Sequence, residues 1–506
     1  MDHTFLSFNA VEYFYPSSVE PVLKNISFDL HRGWTGIVGV NGAGKTTLLL
    51  LAAGLLQPSA GIIKPDIKKS DDVLYCPQRT DELPKGWEDF FSSADNETGA
   101  LCGRLRIEYD WPYRWDSLSH GERKRLQLAI ALSRNPAVLA VDEPTNHLDQ
   151  EAKTLIADAL AGYTGIGLLV SHDRSLLDRL CNNCLFLETG SALLRPGGVS
   201  QGMAEADREQ MEQGRVREQI QSERKRLATE ADKRRRDVEG ARNRLSKKNT
   251  GAKDSNARAK IYLAKLTGKD AVGANLYRRM ETRIGRLDRE LDAQGRTGNI
   301  QAKRKTGLTM ESAASKADKI FLLEPGSIVL GEGAARDHSL SFPELTMGAL
   351  DRVALTGPNG SGKSTLIARI LENVPPSIPL FYLPQELTEE ESRSVLDQIY
   401  EEDEKSRGEI LSRFSRLGSD PGNILQSALP SPGEVRKLLI ARAVFHNPAF
   451  IVMDEPTNHL DLKSVLLLEE MLRECRCALL LVSHDEAFLS ALTNKEWAIV
   501  HGSLTL

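Results

Sequence analysis

The chain has 506 residues, 41% hydrophobic, 27% charged and 6% aromatic, which at roughly 150 residues per domain describes two to four soluble domains. Its longest apolar runs, such as Cys477 to Val482, are strand-sized, no basic-then-apolar leader follows Met1, and six cysteines make no disulfide framework, so a pore, a secreted module and an iron–sulfur protein are excluded. The net charge of −5 conceals a middle segment, 201–310, with 28 Lys and Arg against 16 Asp and Glu, so a polyanionic partner is expected for that segment alone.

From the N-terminus, the β-rich run Ile37–Val38 leads into Gly39 to Thr46, a G-x-x-x-x-G-K-[ST] loop. Gly39, Gly42 and Gly44 allow a tight turn whose N–H groups face phosphate oxygens; Lys45 reaches the β- and γ-phosphates and Thr46 ligates Mg²⁺. A helical pattern covers Lys124 to Ser133, and a strand is predicted over Ala137 to Val141. Asp142 and Glu143 end that strand, placed to hold Mg²⁺ and to polarise an attacking water. A further strand, Gly167 to Val170, precedes Ser171-His172-Asp173. Cys181 and Cys184 form a lone C-x-x-C, read as two reduced thiols because no second pair completes a zinc site.

The segment 201–310 has few β-branched residues and two aromatics, Tyr262 and Tyr277. Ile220, Leu227, Ala231, Val238 and Leu245 form one narrow apolar stripe; Leu276, Met280, Ile284, Leu287 and Leu291 form another. Turn-like residues Asn249 to Asn256 separate them, so an antiparallel helical pair is expected. Lys233-Arg234-Arg235-Arg236 and Lys303-Arg304-Lys305 suit phosphate contact, and the scarcity of aromatics favours structured RNA over stacked single strands.

The second half repeats the first. Gly357 to Ser364 is again a phosphate loop, with Gly357, Gly360, Gly362, Lys363 and Ser364 in the same parts, after a strand at Val353 to Leu355. The octapeptide at 142–149 recurs unchanged at 454–461, after a strand at Ala449 to Met453. His484, after the strand Ala478 to Val482, lies 30 residues beyond Asp454, as His172 lies 30 beyond Asp142. The reading is α/β: two P-loop cassettes with mainly parallel sheets, at 1–200 and 313–506, joined by a basic helical-pair linker at 201–312.

The series of phosphate loop, Gln78, Leu118-Ser119-His120-Gly121-Glu122, Asp-Glu-Pro-Thr and His172 resembles an ATP-binding cassette, and Gln385, Ser431-Pro432-Gly433-Glu434 and His484 extend the resemblance to the second half. The repeated octapeptide and basic linker resemble the ABC-F family in particular. That resemblance implies an ATPase whose cassettes close head to tail, with each ATP held between one phosphate loop and the other half's signature serine and glycine. It implies catalytic Glu143, His172, Glu455 and His484. ATP contacts are implied for Tyr15, Gly39, Asn41, Gly42, Gly44, Lys45, Thr46, Thr47 and Gln78 with Ser431 and Gly433, and for Gly357, Asn359, Gly360, Gly362, Lys363, Ser364, Thr365 and Gln385 with Ser119 and Gly121. Mg²⁺ would fall to Thr46, Gln78 and Asp142, and to Ser364, Gln385 and Asp454.

Departures from the family pattern are His120 and the prolines Pro430 and Pro432 in the signatures. Pro432 lacks a backbone donor, so the site formed with Lys45 is expected to be the slower one. Tyr15 suits adenine stacking, and no counterpart is read in the second half. The family implies a cytoplasmic monomer with an intramolecular cassette sandwich, acting on the ribosome, its rRNA and tRNA as a translation factor or ribosome-protection protein. Lys233 to Arg236 are the RNA-contact candidates. The fused energy subunit of an importer and a DNA-associated ATPase are the alternatives; the first leaves the basic insert unexplained. With 22 residues after His484 and Ser119 lying 41 positions beyond Gln78, neither a C-terminal extension nor an arm insertion is expected.

Overall fold

The computed structural model describes residues 5–16, 18–65, 72–93, 96–146, 148–188, 190–244, 269–298, 319–330, 339–426 and 430–506. These fall into two compact units: 1–202 with 306–506, and 203–305.

In the first unit each half is built on a parallel sheet. The first half orders its strands Val73–Cys76, Val138–Asp142, Ile166–Val170, Gly33–Gly39, Cys181–Glu188 and Ser191–Pro196, parallel except for the last pair. Val138–Asp142 and Ile166–Val170 are buried at every position, as continuous apolar runs must be when helices cover both faces of a parallel sheet. The phosphate-loop strand Gly33–Gly39 lies between two neighbours, so its loop emerges among the carboxyl ends of the strands, where open α/β sheets bind ligands. A three-stranded antiparallel sheet, Leu23–His31, Phe5–Tyr13 and Ala60–Lys64, flanks it.

The second half repeats the plan in an eight-stranded sheet. Arg352–Thr356 pairs in parallel with Ala478–Val482 and Lys495–Val500, and Phe450–Asp454 pairs with Ala478–Val482 and Leu380–Leu383. Two further helices, Glu389–Glu401 and Glu404–Arg416, bury Val395, Ile399, Ile410 and Phe414 in the same core as the helix Pro432–His446.

Cys181 and Cys184 are free and buried. A disulfide joins Cys475 to Cys477, a local link that the cysteine count did not anticipate.

In the second unit, helices Val199–Arg244 and Lys269–Gly298 pair. Arg283 donates to Glu223 at 2.5 Å and Arg224 to Asp288, while Tyr277 feels the charges of Arg235 and Asp232 further along the first helix. Residue numbers rise on one helix as they fall on the other, so the pair is antiparallel. Ala231 and Leu287 are its buried apolar positions, with Leu227, Ile284 and Leu291 half-buried, which is the narrow seam expected of two-stranded helical packing. Lys233, Arg235 and Arg236 are exposed, and Arg234 donates to Glu230 one turn earlier at 3.2 Å. The turn at 249–256 and the cluster Lys303 to Lys305 lie outside the described residues. No described helix is long and apolar enough to cross a membrane.

Candidate functional site

The phosphate loops form because only glycine accepts their backbone. Gly44 and Gly362 have φ of +93° and +96° and cap the helices Lys45–Ala52 and Lys363–Glu372. A methyl placed on Gly42 or Gly360 would meet nothing within 4 Å, so the loops leave room above their N–H groups. Lys45 donates to the carbonyls of Gly39 and Val40 at 2.9 and 3.2 Å; Lys363 does the same to Gly357 and Pro358 at 2.7 and 2.9 Å. Thr46 donates to Asp142 and Ser364 to Asp454, each at 2.8 Å. These hydroxyl–carboxylate pairs are hard oxygen donors that suit Mg²⁺.

Glu143 and Glu455 sit in the left-handed region, at φ of +45° and +48°, a conformation costing on the order of 1–3 kcal/mol for a non-glycine residue. What holds them there is a strand-end hydrogen bond each: Glu143 N–H to Val170 at 2.9 Å and Glu455 N–H to Val482 at 2.8 Å. Both carboxylates also accept from the backbone of the histidine, His172 or His484, at 3.3 Å. Burial pushes the Glu143 carboxyl up to about 8, with the neighbouring Asp142 charge adding to it, and the Glu455 carboxyl up to about 7. Burial pushes His172 down to about 3 and His484 to about 4, so the contact of His172 Nε2 with Glu143 Oε1 at 3.3 Å involves a neutral ring and is no ion pair. Among the described residues Glu143 Oε1 and Glu455 Oε1 have no hydrogen-bond partner, and both glutamates line a cleft of about 320 Å³ between the halves.

The signature segments start helices. Ser119 and Ser431 each form a reciprocal capping box with a glutamate three residues on, Glu122 and Glu434. Pro432 occupies the first helical position, whose N–H has no intrahelical acceptor, so the helix tolerates it although a donor toward any ligand is lost. A methyl on Gly433 would lie 2.5 Å from the His459 carbonyl and 3.7 Å from the Asn41 amide, and Asn41 itself donates to that carbonyl at 3.1 Å. The first phosphate loop therefore faces the second signature. On the opposite side, Asp149, Gln150 and Glu151 share a cleft with Gly357, Pro358 and Lys363, whereas Ser119 and Gly121 lie outside its lining.

Tyr15 is partly exposed and its hydroxyl meets that of Thr47 at 3.0 Å, against the loop helix. The second half does contain an aromatic before its phosphate loop, Phe342, but this is a core residue; Leu330 lines the cleft with Lys363 and Thr365 instead. Gln385 and Asn359 line both clefts around Glu455 and His484. Gln78 is exposed and lines neither.

Lys124 and Arg436 escaped the motif reading. Each is buried five residues after its signature serine. Lys124 donates to the carbonyls of Pro77 at 2.6 Å and Asp142 at 3.3 Å; Arg436 donates to those of Glu455 at 2.6 Å, Pro384 at 2.9 Å and Gln385. Each ties the segment before the glutamine to the strand end that carries the carboxylates. The equal spacing from the two signature serines was the one signal available, masked by the neighbouring cations Arg123, Arg125 and Lys437.

The sequence pattern described as "ABC transporter" matches residues 23–146 and 342–458. The chain is 28% identical to the ribosome protection protein VmlR of Bacillus subtilis, covering 97% of this chain and 86% of that protein. It is 28% identical to the tylosin resistance ATP-binding protein TlrC of Streptomyces fradiae, covering 98% and 97%. The archaeal ribosome recycling factor aABCE1, in a crystal structure with the stalk protein aP1, shares the fold at a TM-score of 0.56 and 16% identity, over 97% of this chain and 87% of that one.

Proposed function

The chain belongs to the ABC-F family of tandem ATP-binding-cassette ATPases, and from that premise we propose that ATP binding and hydrolysis in its two cassettes switch the hold of its basic helical pair on ribosomal RNA in the cytoplasm. The observation that carries the reading is the first phosphate loop against the second signature, Asn41 on the His459 carbonyl beside Gly433. A γ-phosphate placed there touches both cassettes, so ATP stabilises their apposition and its loss releases them. The exposed Lys233, Arg235 and Arg236, with Arg234 beside them, supply the cations for phosphate contact. Likeness to VmlR, a ribosome protection protein, supports a ribosomal role, and a translation factor and a ribosome-protection protein would share this switch.

Within each site the residues divide the work. Lys45 and Lys363 leave their loop carbonyls to pair with phosphate oxygens, and the loop N–H groups orient the chain of phosphates. Thr46 with Asp142, and Ser364 with Asp454, would hold Mg²⁺, which would supply charge that offsets that of the phosphates. Glu143 and Glu455, ionised, accept hydrogen bonds from water and align it; the neutral His172 and His484 sit beside them as hydrogen-bonding partners. Changing both glutamates to glutamine should preserve ATP binding and lower turnover by roughly 100-fold or more. Turnover within about threefold of the parent would show that water is activated elsewhere.

A further inference from the structure

The two halves meet through polar contacts that their internal repeat does not duplicate. Lys153, on the helix Gln150–Ala161, donates to the carbonyl of His484 at 3.0 Å and lies 3.3 Å from Asp173 Oδ2. Arg174 donates to Glu469 at 2.9 Å, with Asp485 Oδ2 at 3.9 Å, and Glu469 also takes Arg473 at 2.6 Å. All four charged partners across the boundary are at least four-fifths buried, with side-chain exposures of 16% for Lys153, 14% for Arg174, 9% for Glu469 and 16% for Asp485. Lys153 thus holds the short loop that carries His484 and Asp485 in the second cassette, while Arg174 pairs with Glu469 on the helix Leu462–Glu474 and brings its charge to 3.9 Å from Asp485.

The octapeptide offset of 312 residues gives the mirror positions: Val465 for Lys153, Glu486 for Arg174 and Ala157 for Glu469. None of the three can form the corresponding contact. Among the described residues, these mirror positions therefore give the loop of His172 and Asp173 no such grip from the second cassette. Lys153 also shares a cleft with Glu455, His484 and Gly360. Burial is the main cause of the raised Glu455 carboxyl, and the Lys153 charge opposes it, favouring the ionised form.

We propose that Lys153 and Arg174 are positioning residues acting in trans: they lock the His484–Asp485 loop when the cassettes are apposed, so that turnover at the Lys363–Glu455 site depends on apposition through contacts the Lys45–Glu143 site lacks. The inference rests on the assignment of Glu143 and Glu455 given above. A carbonyl-bound ammonium and a buried guanidinium–carboxylate pair are directional contacts that fix a loop rather than merely attract it. Separation of the cassettes breaks all of them together.

The test uses the full chain in two single-site backgrounds, Glu143→Gln and Glu455→Gln. Lys153→Met should lower kcat of the Glu143→Gln protein on the order of fivefold to tenfold, with a much smaller loss in the Glu455→Gln protein. Lys153→Arg, which keeps a cation within reach of the carbonyl, should recover most of that loss. Arg174→Glu should act in the same direction, and Arg174→Glu with Glu469→Arg should restore it. Equal losses in both backgrounds, or no loss, would overturn the asymmetric grip. A second readout does not depend on the glutamates: fluorescence transfer between one dye on each cassette, followed as ATP is titrated. Lys153→Met and Arg174→Glu should each raise the ATP concentration for half-closure at least about threefold, and the charge swap should lower it again. If neither glutamine background loses turnover, the site assignment fails, and the closure titration alone decides the grip: unchanged half-closure in both variants rejects it.

Discussion

Glu143 and Glu455 combine a strained backbone with a carboxyl whose ionisation burial opposes in the free protein. Both costs fall on the free protein, and a site shaped for a water and a γ-phosphate explains why they persist. The sign of the pH dependence follows. A Glu143 carboxyl raised to about 8, against the ordinary value of 4.5, binds a proton in the folded chain that the unfolded chain has already released. Stability from this group is therefore lost as pH rises through that window. Glu143→Gln, a neutral isostere, should raise the thermal midpoint of nucleotide-free protein by about 2 °C or more at pH 8 and have little effect at pH 5. Melting curves at the two pH values check this, and an equal shift at both would separate the effect from ionisation. These carboxylates were legible in the sequence because Asp-Glu follows an apolar strand twice. Lys124 and Arg436 were marked only by their equal spacing from the signature serines, and Lys153 and Arg174 not at all, since each acts through a backbone carbonyl or a partner far away in the chain.

Among the elements, the signature helices show how a motif departure divides between folding and chemistry. Pro432 sits where a helix needs no N–H, so Pro432→His, which copies the first half's His120, should change stability by less than about 1 kcal/mol. In the Glu455→Gln background, where only the Lys45 site turns over, the same change should raise the rate roughly twofold to tenfold by returning one backbone donor. Steady-state hydrolysis with a thermal melt reads both, and a rate that stays flat would remove the proline from the account. The helical pair offers the complementary case. Its apolar stripes were legible as heptad-like spacing, and Ala231 and Leu287 are buried as that spacing requires. Lys and Arg outnumber Asp and Glu by 28 to 16 over 201–310, and that excess is why RNA is the proposed counterpart. Replacing Lys233, Arg234, Arg235 and Arg236 with glutamine should flatten the log–log salt slope of ribosome binding by roughly 1.5 to 3 and leave ATP binding alone. Binding isotherms at several salt concentrations measure the slope.

At the scale of the whole chain, the repeat made the α/β sheets, the two phosphate loops and the paired carboxylates readable before any coordinates. What it concealed is the inequality of the halves: Phe342 buried where an adenine partner was sought, Pro432 against His120, and Lys153 against Val465. Symmetry in a motif says nothing about the surfaces around it. Glu455→Gln should accordingly cost more steady-state turnover than Glu143→Gln, because the Lys363 site has both the fuller signature and the grip of Lys153; the reverse order in a side-by-side assay would contradict that asymmetry. The central claim, that ATP held between the cassettes fastens the chain to the ribosome and hydrolysis frees it, is tested most directly by co-sedimentation of the Glu143→Gln/Glu455→Gln protein with ribosomes. With ATP the double variant should remain in the ribosomal pellet, sensitive to RNase, while the parent partitions to the supernatant as it turns ATP over. Retention that is the same with ATP, with ADP and without nucleotide, or no retention in ATP from a folded double variant that binds ATP, would contradict the account.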